Sequence, residues 1–254
     1  MPLITLTTDY GIKDFYVSAL KAKFYNHFTD VTLVDISHLV PPFDVIQGSL
    51  VFRAVWQEFP KNTIHIIDID NAGGNKNLLI VEFENQYFVM PDNGLVSLIF
   101  SDDSPVKIYT LDYEADTLKG NQFSSFLILA VQKILNNLDG LALITIYEKS
   151  ITYQPVYTAN TIHASVIYID NYRNVILNVD QKLFENLRQG RAFEITFKKY
   201  SVSIIHQNYD QVKENEICCF FNSADLLEIS MNKSKAADLL GLAMDNEILI
   251  DFKN

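Results

Sequence analysis

Residues 64–94 read IHIIDIDNAGGNKNLLIVEFENQYFVMPDNG. The apolar, β-branched run over residues 64–69 ends in Asp70, and a loop rich in Asn and Gly separates it from apolar runs at 78–83 and 87–90. This pattern is typical of a buried strand that carries an acid to the edge of a sheet. Because ligands of open α/β sheets bind at the carboxyl ends of strands, we expect Asp70 to belong to a functional site.

The N-terminal sequence shows a second strand that ends in an acid. Residues 3–7 predict a strand leading to a turn that carries Asp9, and Asp14 is well placed to cap the amphipathic helix that follows. The dipeptide Pro41-Pro42 excludes helix, so that VPPFD is expected to form a rigid loop before a helix over about 44–56.

The two halves of the chain differ in pattern. Alternating strands and helices predict an α/β domain over residues 1–150, with a mainly parallel sheet covered by helices on both faces. Residues 151–161 are polar and irregular, as expected of a linker. Short alternating runs separated by turns predict a mainly β domain over 162–254.

Composition excludes several classes of protein. The chain has 254 residues, of which 48% are hydrophobic, so it can bury real cores, and its net charge of −11 disfavours nucleic acid as a partner. Adjacent Cys218 and Cys219 cannot staple loops, and we expect them to be packing residues in a reducing compartment. The five scattered histidines lack zinc-site spacing, so no metal is expected. Without a leader-like N-terminus or a run of about 20 apolar residues, we expect a cytoplasmic protein that does not bind membranes.

Six sequence blocks occur in an order that resembles a known family. They are TTDYGIKDFY (7–16), VDISHLVPPFD (34–44), FPKNTIHIIDIDNAGG (59–74), YFVMPDNGLVS (87–97), YIDNYRNVILN (168–178) and FNSADLLEIS (221–230). Together they resemble the S-adenosylmethionine hydroxide adenosyltransferase family, which also contains fluorinating and chlorinating enzymes. The resemblance implies a Rossmann-like N-terminal α/β domain and a smaller C-terminal β-barrel domain. It also implies a homotrimer that binds S-adenosylmethionine between the N-domain of one subunit and the C-domain of its neighbour.

The resemblance also implies a reaction, in which water or hydroxide displaces methionine from the ribose C5′ and leaves adenosine. The sulfonium is a good leaving group, so the protein mainly has to orient the nucleophile and exclude competing solvent. Hydrolytic members hold the water with an Asp, Arg and His set. Asp70 matches the aspartate, but Asn77 stands in place of the arginine and Lys119 in place of the histidine.

These two replacements predict weak hydrolysis. An amide offers only neutral hydrogen bonds, and an ammonium has no lone pair to accept a proton. An equally open alternative is a catalytically silent trimer that binds S-adenosylmethionine or adenosine as a sensor or structural partner, and a third is that binding is lost. Halogenation is disfavoured, because the Asp70 carboxylate would repel a halide.

The resemblance assigns further residues to ligand binding, with no cofactor beyond S-adenosylmethionine as substrate or ligand. Asp9 matches an acid that clamps the ribose hydroxyls, Asp14 is divided between capping and binding, and Phe43 matches an aromatic beside the sugar. The remaining matched positions are Asn93 near the pocket, Asp170 and Asn174 at the methionine and adenine ends, and Ser223 and Glu228 near the same groups. Arg173 and Asp225 stand where the family has glycine, which puts the loop geometry in doubt if φ there is positive.

Overall fold

A computed structural model describes residues 1–71, 77–100, 104–111, 123–150 and 154–253. The chain forms two compact units, Met1–Thr152 and Tyr153–Asn254. Within the described ranges, no helix is both long enough and apolar enough to cross a bilayer.

The described part of the first unit is a seven-stranded sheet with four α-helices. Its strands are β1 (Leu3–Thr8), β2 (Thr32–Ser37), β3 (Ile64–Asp68), β4 (Leu78–Phe83), β5 (Gln86–Pro91), β6 (Lys107–Leu111) and β7 (Ala142–Ile144). Its helices are α1 (Tyr16–His27), α2 (Val45–Arg53), α3 (Leu95–Ile99) and α4 (Phe123–Leu135), with a 3-10 turn at Trp56–Glu58. The strand order across the sheet is β2-β1-β3-β5-β4-β6-β7.

This sheet is mixed, so the prediction of a mainly parallel sheet is wrong. The four strands β2, β1, β3 and β5 run parallel, but β4 pairs antiparallel with both β5 and β6, and β6 with β7. The cause is the tight turn between β4 and β5, where Glu84 and Asn85 have φ of 48° and 60°. A two-residue turn with both φ values positive favours a hairpin.

Helices cover both faces of the sheet, as predicted. Alternate residues of β4 enter different cores: Leu78 and Ile80 pack with residues of α1 and α4, whereas Leu79 and Val81 pack with residues of α2 and α3. Because side chains alternate along a strand, the two helix pairs lie on opposite faces.

The described part of the second unit is mainly β, as predicted. It contains β8 (Val156–Tyr157), β9 (Thr161–Ile169), β10 (Val175–Asp180), β11 (Ala192–Phe197), β12 (Tyr200–Val202), β13 (Ile217–Phe221), β14 (Leu226–Met231) and β15 (Glu247–Lys253), with helices α5 (Gln181–Arg188) and α6 (Ala236–Leu240). The short β8 and the first residue of β9 fall in the stretch 151–161 that was expected to be a linker.

The strands of the second unit form a nearly closed, barrel-like sheet. Their order is β12-β11-β15-β9-β10-β14-β13, with β8 added beside β9. The segment that follows β12 adds His206 beside β13, where its N–H donates to the Cys219 carbonyl and its Nδ1 accepts from the Cys219 N–H. The aromatic ring of Phe184 on α5 is fully buried in the core.

Candidate functional site

The Asp9 carboxylate ties together two loops at the carboxyl ends of parallel strands. Asp9 follows β1, and its Oδ2 accepts from the Phe43 N–H at 2.8 Å and from the Asp70 N–H at 3.2 Å. Three residues expected in the site therefore meet at one carboxylate, where β1 and β3 lie side by side. Among the described residues, Asp9 Oδ1 accepts no hydrogen bond, so that this oxygen can accept from a ligand hydroxyl.

Asp70 and Phe43 both have backbone conformations that L-residues seldom adopt. Their φ values are 49° and 67°. For a non-glycine residue the left-handed region costs about 1 kcal/mol, and such residues persist where surrounding contacts over-determine them. Asp9 supplies one such contact to each residue. Phe43 is held on the loop with 61% of its surface exposed, as is expected of a ring available to a ligand or a neighbouring chain rather than to its own core.

Asn93 fixes the residue before Asp70. Its Nδ2 donates to the Ile69 carbonyl at 2.8 Å from the PDNG turn, and the side chain is buried. Its Oδ1 is also buried, with no hydrogen-bond partner among the residues that the structure describes. Gly94, at φ 95°, completes this turn and is packed against Ser150 so closely that a Cβ would lie 2.6 Å from the Ser150 Cβ.

A buried acid beside these residues is absent from the sequence prediction. Asp68 ends β3 and is fully buried. The Tyr10 hydroxyl donates to its Oδ2, and Asn71 Nδ2 donates to its Oδ1 at 2.9 Å. Burial raises the pKa of Asp68 to about 6; the Tyr10 and Asn71 hydrogen bonds oppose this rise, and the Asp9 charge adds to it. A charged residue inside the apolar run of 64–69 is the signal that could have revealed it.

Tyr10, the hydrogen-bond donor to Asp68 Oδ2, is also shifted in its pKa. Burial, followed by the charge of Asp68, raises the pKa of the Tyr10 hydroxyl, so that it stays a hydrogen-bond donor at any ordinary pH. Its ring packs edge-on against Tyr16 with centroids 6.2 Å apart. Tyr10 therefore connects the start of α1 to the end of β3.

The predicted cap at Asp14 is wrong. Helix α1 begins at Tyr16, its N-cap is Phe15, and no side chain caps it, whereas the exposed Asp14 lies one residue further back. The backbone of Phe15 is already helical, at φ −82° and ψ −7°, so the chain turns into the helix without an acceptor side chain. Ligand binding by Asp14 stays a prediction.

The other two members of the expected catalytic set are Asn77 and Lys119, of which the structure describes only Asn77. Asn77 is exposed just before β4, and its carbonyl accepts from the Asp92 N–H at 2.8 Å. Lys119 lies outside the described residues.

In the second unit, Asp170, Asn174 and Glu228 belong to one hydrogen-bonded chain of side chains. Asn174 Nδ2 donates to Asp170 Oδ2 at 2.9 Å and to the Tyr209 hydroxyl at 3.2 Å. The Tyr209 hydroxyl donates in turn to Glu228 Oε1 at 2.9 Å. Glu228 is buried and also accepts from Ser230 and Asn222. Burial and the Glu228 charge raise the pKa of Tyr209, so it remains a donor.

Tyr209 is a residue that sequence reasoning missed. It lies on the 3-10 turn Tyr209–Gln211, far from the matched blocks, and nothing in its local sequence marks it. Ser223, by contrast, is not part of this chain of contacts: it is exposed in the turn before β14, between Asn222 and Ala224.

A cavity adjoins this network. It has a volume of about 510 Å³, and its lining includes Asn174 and Tyr209 together with Tyr172, Lys233 and Lys235. That size suits a drug-sized or nucleoside-sized ligand, and the lining offers both an aromatic face and amide groups. A larger cavity of about 680 Å³, which includes His206 and Glu216, contains none of the predicted site residues.

Both positions that replace a family glycine have positive φ. Arg173 has φ 69° and Asp225 has φ 64°, so the strain anticipated for these turns is present. At Arg173 compensating contacts surround the turn. The guanidinium donates to Asp238 Oδ1 through Nε at 3.0 Å and Nη2 at 2.7 Å, and the backbone N–H donates to the Asp170 carbonyl.

His65 has structural contacts, and the two cysteines are packing residues, as predicted for the cysteines. The Nδ1 of buried His65 lies 2.7 Å from the Thr5 hydroxyl, and its Nε2 donates to Gln86 Oε1 at 2.6 Å. Cys218 and Cys219 are buried in β13, and burial raises the pKa of the Cys218 thiol to about 11, which disfavours a nucleophilic thiolate.

Comparison with known families agrees with this architecture. The model of the SAM hydroxide adenosyltransferase N-terminal domain matches residues 4–132, and that of the SAM hydroxide adenosyltransferase C-terminal domain matches residues 164–249. The chain belongs to the SAM hydroxide adenosyltransferase family.

Individual relatives extend over almost the whole chain. A protein of Methanocaldococcus jannaschii named (R)-S-adenosyl-L-methionine hydrolase is 28% identical, with 98% of this chain and 96% of the relative covered. A protein of the same name from Salinispora arenicola is 24% identical, with 98% and 97% covered.

Solved structures share the fold. An uncharacterized conserved protein from Thermotoga maritima superposes with a TM-score of 0.78 at 24% identity, covering 99% of this chain and 100% of the other. A conserved hypothetical protein from Thermus thermophilus gives a TM-score of 0.71 at 19% identity, covering 99% of each.

Proposed function

We propose that this protein binds S-adenosylmethionine and hydrolyses it at the ribose C5′ to adenosine and methionine, at a low rate. The observation that carries the proposal is the double hydrogen bond accepted by Asp9, which brings Asp9, Phe43 and Asp70 together at the ends of β1 and β3. Family membership and relatives named as hydrolases supply the substrate.

Each of these residues has a separate role in the proposed reaction. The Asp9 carboxylate accepts from the ribose hydroxyls through the oxygen not used by the backbone, and Phe43 packs against the sugar. The Asp70 carboxylate accepts a hydrogen bond from the attacking water, orients it opposite the sulfonium and takes its proton as the C5′–O bond forms and the C5′–S bond breaks. Asn77 and Lys119 replace stronger water-holding groups, so the orientation of this water is less fixed and the rate is low.

The second unit supplies the rest of the proposed binding site from a neighbouring copy. The Asn174 amide reads an adenine edge, and the acid and amide pair of Asp170 and Asn174 suits a ligand with both donors and acceptors. The family resemblance makes the proposed assembly a homotrimer with the ligand at the interface, and sedimentation of the purified protein at three times the mass of one chain would support it.

The test is incubation of concentrated, purified protein with S-adenosylmethionine, with adenosine and methionine followed by chromatography. We expect equal amounts of the two products, and we expect Asp70→Asn to reduce them to background, because an amide cannot accept a proton from water. Glu58→Gln, an exposed acid in the same unit, is the matched control and should leave the rate unchanged.

Calorimetry with the same ligand separates the alternatives. Binding without any turnover identifies a catalytically silent binder of S-adenosylmethionine or adenosine, a role that the neutral Asn77 amide favours. Neither binding nor turnover contradicts both functions.

A further inference from the structure

The turn that carries Asp70 is held at three consecutive residues. The Asn93 amide donates to the Ile69 carbonyl, and the Asp70 N–H donates to the Asp9 carboxylate. The Asn71 amide donates to the Asp68 carboxylate. Because Asp70 has φ 49°, these contacts are what a left-handed non-glycine residue needs in order to persist.

Asp68 differs from the other two holding residues because it is fully buried and ionisable. Both of its oxygens are occupied, Oδ2 by the Tyr10 hydroxyl and Oδ1 by the Asn71 amide. A buried carboxylate with two donors directed at it binds them about twice as strongly as a neutral acid does. Ionisation of Asp68 therefore tightens its hold on Asn71.

We propose that Asp68, supported by Tyr10, is a positioning residue for Asp70: its carboxylate fixes Asn71 and thereby the left-handed turn that presents Asp70 to the substrate. The proposal rests on the proposed hydrolytic function and deepens it, since it names a group that orders the catalytic acid in a chain where Asn77 replaces the family arginine. Asp68 itself touches no substrate in this scheme.

The state of Asp68 changes within an accessible pH range. Burial raises its pKa to about 6, and the charged or titratable groups that act on it are Tyr10, which lowers this pKa through its hydrogen bond, and Asp9, which raises it. Asn71 also lowers it. Tyr10 remains protonated throughout, so ionisation of Asp68 above about pH 6 is the event that strengthens the turn.

The first experiment needs no activity. In the full-length, ligand-free protein labelled with ¹³C-aspartate and ¹⁵N, the Asp68 carboxyl carbon should titrate near pH 6, and the amide signals of Asp70 and Asn71 should move with the same midpoint. In Asp68→Asn those amide shifts should disappear. Asp68 titration without any movement of the two amides would overturn the positioning role.

The second experiment is the pH profile of kcat/KM for adenosine release. We expect a limb that rises through about pH 6 in the unmodified protein. It should be absent in Asp68→Asn, and in Tyr10→Phe it should lie about one pH unit higher, because the lost hydrogen bond favoured the carboxylate. Tyr25→Phe and Asp30→Asn make the same chemical changes at exposed positions and should not move the midpoint.

The two experiments distinguish failure of the positioning role of Asp68 from failure of the proposed hydrolysis. A group that only maintained the fold would lower activity in both variants without moving the midpoint of the limb, and this result would overturn the proposal. If no variant forms adenosine at any pH, the proposed hydrolysis fails, and the carboxyl and amide titrations still decide whether Asp68 positions Asp70. Tyr10→Phe keeps the test available if Asp68→Asn does not fold.

Discussion

His65 and Asp68, three residues apart on β3, are buried ionisable side chains whose pKa values shift in opposite directions. Burial lowers the pKa of His65 to about 4, and burial raises that of Asp68 to about 6. Between about pH 4 and 6.5 the unfolded chain protonates histidine more readily than the folded protein does, so His65 lowers the free energy of unfolding as pH falls. Asp68 is protonated in the folded protein and ionised in the unfolded chain between about pH 4 and 6, so it lowers that free energy as pH rises.

Because the two effects have opposite signs, removing Asp68 should change how the free energy of unfolding depends on pH. Across the window near pH 4 to 6 the two effects offset each other in the unmodified protein. In Asp68→Asn only the His65 effect remains, and urea denaturation should show a loss of stability on acidification that exceeds that of the unmodified protein by about 3 kcal/mol. Asp30→Asn, at an exposed site, serves as control. Parallel pH dependence of the unmodified protein and Asp68→Asn would contradict the assigned shifts.

Two residues of the expected catalytic set give a gain-of-function prediction. Asn77→Arg combined with Lys119→His restores a guanidinium and a neutral imidazole, and adenosine formation should rise by on the order of tenfold or more. The matched control is Asn26→Arg with Lys61→His at exposed positions outside the site. Adenosine at background in the double variant, with ligand still bound, means that the two positions were assigned wrongly.

For individual residues, the sequence identified most of the acids of the candidate site but not the groups that they contact. The resemblance picked out Asp9 and Asp70, yet their link is a carboxylate-to-backbone bond across 61 positions that no local pattern encodes. The charge of Asp68 within the apolar run 64–69 could have marked it, but its hydrogen bond with Tyr10 appears only when β1 and β3 lie in parallel register.

Among the elements, the N-termini of α1 and α2 form a natural pair for a capping test. Asp44 caps α2, its Oδ1 accepting from the Gln47 N–H at 2.9 Å and its Oδ2 from Gln47 Nε2 at 2.7 Å. Asp14 does not cap α1. Asp44→Ala should therefore lower the free energy of unfolding by about 1 kcal/mol, whereas Asp14→Ala should leave it nearly unchanged.

The same pair tests what Asp14 does. If Asp14 contributes to ligand binding, Asp14→Ala weakens binding of S-adenosylmethionine in calorimetry without lowering the midpoint of thermal unfolding. An equal loss of stability in the two variants would show that Asp14 is a cap after all.

Most strands and helices were predicted from the spacing of apolar residues, and the misses are a few elements and the pairing direction of one strand. Helices α1 and α2 and strands β1, β3, β4 and β5 were predicted from apolar spacing, and the structure adds that Asp44 caps α2. Helix α5 was missed, although the capping Asp180 and the buried Phe184 mark it. The antiparallel partners of β4 were missed because the turn Glu84-Asn85 lacks the glycine that usually announces a tight hairpin.

At the scale of the whole molecule, the order of sequence blocks was more informative than any single motif. It predicted two units of different architecture, and both family models match the chain in that order. The network of Asp170, Asn174, Tyr209 and Glu228 could not be predicted as a whole, because Tyr209 is 35 residues from Asn174 and 19 from Glu228 and its local sequence carries no signal.

The central claim is that water attacks the ribose C5′ of S-adenosylmethionine beside Asp70. The most direct measurement is the mass of adenosine formed by the purified protein in H₂¹⁸O. We predict that this adenosine carries one ¹⁸O atom in its 5′ hydroxyl, and that Asp70→Asn forms it only at background. Adenosine that carries no label, or that does not exceed the Asp70→Asn background at high protein concentration, would contradict the claim.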